Sequence, residues 1–139
     1  MSKHSIIILY NSKEKKILNY FDSEWNMYLL PNFKNNGNIE QLQKNVDEKF
    51  GTNKAHLTYI GSSKVEKYSR SDNINKIYHH DFYLLEDYNS INYKDYKWMT
   101  LEEMSQDKDI SLYNYDIINF LKNNIKKGPL KKRSFLFTS

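Results

Sequence analysis

The chain has 139 residues, the size of one domain, and 15% of them are aromatic, enough to fill a core. It has no cysteine, which excludes disulfides, Cys-ligated zinc and thiol chemistry and fits a reducing, cytoplasmic setting; no apolar run approaches the ~20 residues of a membrane span. The net charge of +4 is uneven: residues 1–121 sum to −2, and the six cations beyond them meet no acid.

The opening MSKHSIIILY has too short an apolar core, and no small-residue cleavage site, to serve as a signal peptide. Within it, Ser5–Tyr10 is β-branched and ends at Asn11-Ser12, which predicts a strand and a turn. Lys16–Phe21 pairs back on it, and Trp25–Leu30 is a third short strand closed by Pro31, which lacks a ladder donor. From Ile39 the period changes. Ile39, Leu42, Val46 and Phe50 recur at helical spacing, with Asn38 as N-cap and Gly51 as the terminating glycine. Leu57–Ile60 and Val65–Tyr68 are strand segments, with Ser62-Ser63 as a loop between them, and Ile77–Leu85 is a longer aromatic strand. Tyr96–Met99 leads into the capping box Thr100-Leu-Glu-Glu103, and Leu112–Leu121 forms a terminal helix with Ile117, Ile118 and Leu121 inward. The order β-β-β-α-β-β-β-α predicts a mixed α/β fold, two helices sandwiching one sheet. Gly128-Pro129 then breaks the chain inside a basic tail, residues 125–139, set apart from a domain of residues 1–124.

Few residues in the body look reactive. In His79-His80-Asp81, strand alternation lets His79 and Asp81 share a face, with no third ligand in view. His4 and His56 are isolated in sequence, and Tyr68, Tyr78 and Tyr83 are candidates for stacking a base or for plain packing. The tail is more explicit. Lys126, Lys127, Lys131, Lys132 and Arg133 form an extended basic segment suited to a phosphate backbone, followed by Phe135 and Phe137, which can stack on bases or fill a pocket.

In order and spacing, four pieces resemble the Nudix (MutT-like) hydrolase family over residues 4–124. They are the strand-turn-strand SIIILYNSKEKKILNYF; Trp25 to Pro31, similar to the family's Trp and Pro ahead of its glycine loop; the helix IEQLQKNVDEKFG; and KWMTLEEM, similar to the family's Trp-(Leu/Met)-Thr-Leu-Glu-Glu. The resemblance implies a Nudix-like α/β/α sandwich, a mixed sheet between two main helices. It also implies a helix whose glutamates hold Mg²⁺ against a diphosphate, so that metal activates water and neutralises the leaving charge.

Anchored on Gly51, the family pattern Arg-Glu-apolar-x-Glu-Glu-x-Gly falls on Lys44, Asn45, Val46, Asp47, Glu48, Lys49, Phe50 and Gly51. Only Glu48 survives among the ligands. Asn45 offers a neutral amide, and an ammonium at Lys49, about 5 Å from a dication, is repelled by roughly 6–7 kcal/mol at an effective dielectric of ~20. Asp47 does not repair the set, because it lies about 100° round the helix from Glu48. Lys44 and Lys49 either lie on a solvated helix face or contact phosphate directly.

The resemblance with these replacements implies an incomplete Nudix box and, first, a non-catalytic binding protein with no metal cofactor, which takes a nucleotide in the family's cleft or contacts RNA or an RNA–protein assembly such as a ribosome, the basic tail favouring the latter. The alternatives are a divergent active hydrolase using Mg²⁺, Glu48 and a distant Glu66 or Glu86, and a protein-interaction module in which Phe135-Leu-Phe137 docks in a groove.

Overall fold

The computed structural model describes residues 2–34, 37–69, 71–85 and 95–124. The basic tail, with Lys126, Lys127, Lys131, Lys132, Arg133, Phe135 and Phe137, lies outside the described residues, as does Glu86. At the centre β1 (Ser2–Asn11) runs parallel to β6 (Ile74–Leu85), in register from Ser2↔Tyr78 to Leu9↔Leu85. A parallel pair covered on both faces needs apolar side chains on both, which is why SIIILY reads as a continuous run. Ile6, Ile8 and Tyr10 enter one core cluster, Ile7 and Leu9 the other.

The sheet order is β3-β2-β1-β6-β5, with β4 added on β1 and β7 on β2. These strands are β2 (Lys16–Asp22), β3 (Met27–Leu29), β4 (Asn32–Lys34), β5 (Leu57–Ser69) and β7 (Tyr96–Met99). Helix α1 (Ile39–Phe50) buries Leu42, Val46 and Phe50 against Ile7, Leu9, Leu18 and Leu85. Each such side chain contributes roughly 1.5–3 kcal/mol by leaving water. Its ends match expectation: the Asn38 side chain accepts from the backbone N–H of Glu40 and Gln41, and Gly51 closes it at φ 71°. Ile39 does not join the inner face and is 49% exposed, because it is the first helical residue, one turn short of the sheet contact.

The opposite face is covered by α2 (Leu101–Gln106), α3 (Lys108–Tyr113) and α4 (Tyr115–Asn124), which bury Met104, Ile110, Ile117, Ile118 and Leu121 against Ile6, Ile8, Ile17 and Phe82. Helices therefore flank a mixed sheet on both sides. Thr100 and Glu103 form the expected capping box. Among the described residues no helix is long and apolar enough to cross a membrane.

Four sequence expectations need correction. The terminal helix is not continuous from Leu112: Asp107 caps a separate α3, which closes on Asn114 before α4 begins, and Leu112 is exposed. Ser62-Ser63 is not a loop but the middle of β5, where a bulge between Tyr59 and Gly61 shifts the register against β6. Gly61 adopts φ +134° there, and a Cβ would lie 2.9 Å from the Phe120 ring, so the bulge depends on glycine. Trp25 sits in a turn ahead of β3, with Asp22 Oδ1 accepting from the Glu24 and Trp25 N–H groups. Pro31 ends that strand yet does not end the sheet: its carbonyl accepts from Ile7 N–H, and β4 follows at once on β1.

This crossing shapes the molecule. β1 and β2 pair only beside their hairpin, at Tyr10↔Ile17 and Asn11↔Lys16. β2 pairs with β7 from Ile17 and with β3 farther out, from Tyr20, whereas β1 takes β4 and β6. The two strands splay apart, and a cleft opens between the start of β1 and the end of β2.

Candidate functional site

Two places compete for a functional role, the exposed face of α1 and the cleft. On α1, Asn45 and Glu48 stand at the i, i+3 spacing that brings side chains together, with Lys49 beside them. Asn45 Oδ1 is engaged within the helix, accepting from Gln41 Nε2 at 2.9 Å. The Lys49 ammonium lies 4.5 Å from the centroid of the Tyr20 ring, a cation–π contact. Lys44 and Glu48 are exposed. Asp47 is occupied with architecture: its carboxylate accepts from Thr52 Oγ1 at 2.6 Å, Lys54 N–H at 2.9 Å and Ala55 N–H at 3.0 Å, fastening the loop after the helix. Glu66 is an exposed residue of β5, and among the described residues no three His, Cys, Asp or Glu side chains converge to hold a metal. A lone carboxylate beside an ammonium does not fit the Mg²⁺ that the resemblance implies.

The cleft has a different chemistry. Its volume is about 1070 Å³, at the upper end of ligand pockets. Trp25 and Tyr113 meet edge to face, with ring centroids 5.9 Å apart, and line it together with Tyr68 and Tyr78. Lys3, Lys34, Lys67 and Lys76 bring positive charge to it, and Asp22 is the sole acid among its described lining residues. Lys76 is paired with Asp72, and Lys34 has no ion pair among the described residues.

At the inner end lies a buried polar cluster. The Asp116 carboxylate, on α4, accepts from Lys67 Nζ at 2.9 Å and from His80 Nδ1 at 3.0 Å. Lys67 also donates to the Tyr113 carbonyl and lies 5.3 Å from the Tyr78 ring centroid. Burial pushes the Asp116 carboxyl up, but the His80 hydrogen bond and the Lys67 charge outweigh it and hold the group below its ordinary value. His4 faces this cluster, its ring 6.1 Å from His80 and 6.0 Å from Tyr78, and its Nδ1 donates to Asn32 Oδ1 at 2.9 Å. Burial lowers the His4 pKa, the Asn32 bond raises it, and the charges of His80, Lys34 and Lys67 lower it further, leaving it below 6.5 and the ring neutral at pH 7.

The sequence-predicted residues divide accordingly. Tyr78 and Tyr68 line the cleft. Tyr83 lies on the α1 side of the sheet, edge-on to Tyr59 with centroids 5.7 Å apart, and does not line it. Lys44, Glu48 and Lys49 are not in its lining, though Lys49 covers Tyr20, which is. His79 and Asp81 share a face, at 2.8 Å, and Ser62 Oγ donates to the same Asp81 oxygen at 2.6 Å. His4 is not isolated, because the β1–β6 register sets it opposite His80. Sequence reading named His80 only as part of His79-His80-Asp81, and singled out neither Asp116 nor Lys67. Alternation put His80 with Tyr78 and Phe82, but nothing local signals an aspartate 36 residues away.

Neither a family model nor a curated protein matches the sequence. Solved structures do match. The MutT protein from Methanosarcina mazei Go1 superposes with a TM-score of 0.66 at 15% identity, covering 88% of this chain and 93% of that one. The Nudix domain of Shewanella oneidensis NrtR, complexed with ADP-ribose, gives 0.62 at 14% identity over 88% and 87%. A C. elegans Ap4A hydrolase binary complex gives 0.61 at 14% identity over 88% and 96%. Identities this low speak for the fold alone. A mixed sheet between α1 and the α2–α4 layer, matched over nearly nine-tenths of its length, makes this chain a Nudix-fold protein.

Proposed function

We propose that the chain is a non-hydrolytic Nudix-fold binding protein whose cleft takes a nucleotide-like ligand. One observation carries this reading: the cleft supplies aromatic walls and unneutralised positive charge, while the helix that would hold catalytic metal carries Asn45 and Lys49 beside Glu48. Aromatic faces stack a base, and ammonium groups neutralise phosphate. Two structural relatives, the NrtR domain with ADP-ribose and the Ap4A hydrolase, make those ligands the natural first probes. The basic tail, with its five cations between Lys126 and Arg133, favours RNA or an RNA–protein assembly as the larger partner, with a nucleotide or RNA terminus seated in the cleft.

The test is calorimetric titration of ADP-ribose and Ap4A with Mg²⁺ and then with EDTA, alongside product assays. Binding unaltered by EDTA, with turnover far below the ~10 s⁻¹ typical of enzymes, is the expected result. Mg²⁺-dependent turnover that disappears in Glu48→Gln would refute the non-hydrolytic reading and restore the divergent hydrolase.

A further inference from the structure

The buried cluster at the inner end of the cleft is not explained by packing. His80 is 2% exposed and spends Nδ1 on Asp116; His4 spends Nδ1 on Asn32. With Nδ1 as the donor on each ring, Nε2 is the nitrogen left for a ligand, and it donates to an anion only when the ring takes up a proton; the two rings stand 6.1 Å apart. His80 lines the cleft despite its burial, as does His4. The β4 register sets Lys34 directly opposite His4, on the same face, and the Lys67 ammonium is held at the same corner by Asp116 and Tyr113.

We propose that the His4–His80 corner binds the terminal phosphate of the cleft's ligand, a phosphate monoester held by imidazole and ammonium groups without metal. The proposal rests on the nucleotide reading of the cleft and adds the place and chemistry of its phosphate. Asp116 neutralises only one of the two nearby lysines, so the corner keeps positive charge for an anion. A dianion brings more charge than Lys34 alone offsets, and His4 is the group able to respond by taking up a proton. The groups facing His4 are Lys34 from β4, Lys67 from β5, Tyr78 and His80 from β6, and Asp116 behind His80 from α4. All but Asp116 are cationic or neutral, so an entering phosphate raises the pKa of His4 from its lowered value. Affinity for the monoester then falls as pH rises past the bound-state value.

The experiment titrates AMP, adenosine and inorganic phosphate into the full chain in EDTA, with the His4 ring followed by NMR. AMP is expected to bind at least tenfold more tightly than adenosine, to raise the His4 pKa, and to lose about tenfold in affinity in His4→Gln and in Lys34→Ala, while adenosine binding stays unchanged in both. Both substitutions fall on partly or fully exposed residues, so the fold is kept even where His80→Gln destabilises it. Equal binding of AMP and adenosine would overturn the phosphate corner and leave the nucleotide reading standing. Inorganic phosphate binding that depends on His4 and Lys34, with no response to adenosine, would support the corner and refute the nucleotide reading. AMP affinity that survives the double variant would place the phosphate elsewhere and overturn the proposal.

Discussion

Helix α1 and the corner under α4 use charge in opposite ways. On α1 itself the ionisable residues are dispersed: Lys44 and Glu48 are exposed, Lys49 lies over a tyrosine ring, and Asp47 holds a loop. On the α4 side they are gathered, with Lys67 and His80 both bonded to the buried Asp116 and His4 facing them. A buried ion pair gives little net stability by itself, since desolvation offsets attraction, but breaking one strands a charge. Such a cluster is expensive to maintain for packing alone and well suited to receiving a ligand.

The contrast breaks most visibly at Asp116. Asp116→Ala leaves His80 Nδ1 buried without its acceptor and the Lys67 ammonium with only the Tyr113 carbonyl, and is expected to cost about 3 kcal/mol in urea unfolding. Asn45→Ala on α1 loses one helical side-chain contact and is expected to cost under about 0.5 kcal/mol. Similar losses at the two positions would erase the distinction between helix and corner.

A second difference appears in acid. The Asp116 carboxyl is depressed in the folded state, so its contribution is complete above the ordinary carboxylate value of 3.8 and is lost as pH falls through the lower folded value. His4 acts at higher pH with the same direction: its folded pKa lies below 6.5, so the unfolded chain binds more protons and stability declines as pH drops from there through the folded value. Urea midpoints followed from pH 8 to pH 2 should fall in two stages. His4→Gln should flatten the first stage and Asp116→Asn the second; a profile unchanged by both would show that neither group is linked to folding.

The smallest expected effect sharpens the α1 side. Replacing Asn45 and Lys49 by Glu, with Glu48 kept, puts three carboxylates at i, i+3 and i+4 on one helix face. The loss of Lys49 from the Tyr20 ring should cost roughly 0.5–1 kcal/mol without metal, and Mg²⁺ should return some or all of it as a rise in Tm. Wild-type protein should show no such rise. A double variant indifferent to Mg²⁺ would mean that this face of α1 cannot gather ligands even with the right residues.

Local chemistry was enough to read α1 and the apolar strand β1 beneath it. Helix bounds from Ile39 to Phe50, with Asn38 and Gly51 at the ends, follow from periodicity and capping within about fourteen residues, a range over which backbone and side chains contact each other directly. The capping box at Thr100 and the apolar run of β1 are legible for the same reason. Helical spacing is likewise enough to put Asn45, Glu48 and Lys49 side by side on one face of α1.

Long-range pairing decided the rest. Ser62-Ser63 looks like a turn in isolation, and becomes strand only because β6 supplies partners through a bulge at Gly61. Asn114 carries no strong breaking signal, yet the chain must reset there to lay α4 across the sheet. The cleft exists because β1 and β2 part company after two residue pairs, and its polar corner because parallel register brings His4 to His80 and α4 sets Asp116 behind them. Sequence fixes which residues can form such contacts. Which of them meet depends on strand register and helix placement, since residues far apart in the chain interact only after the core has closed around them.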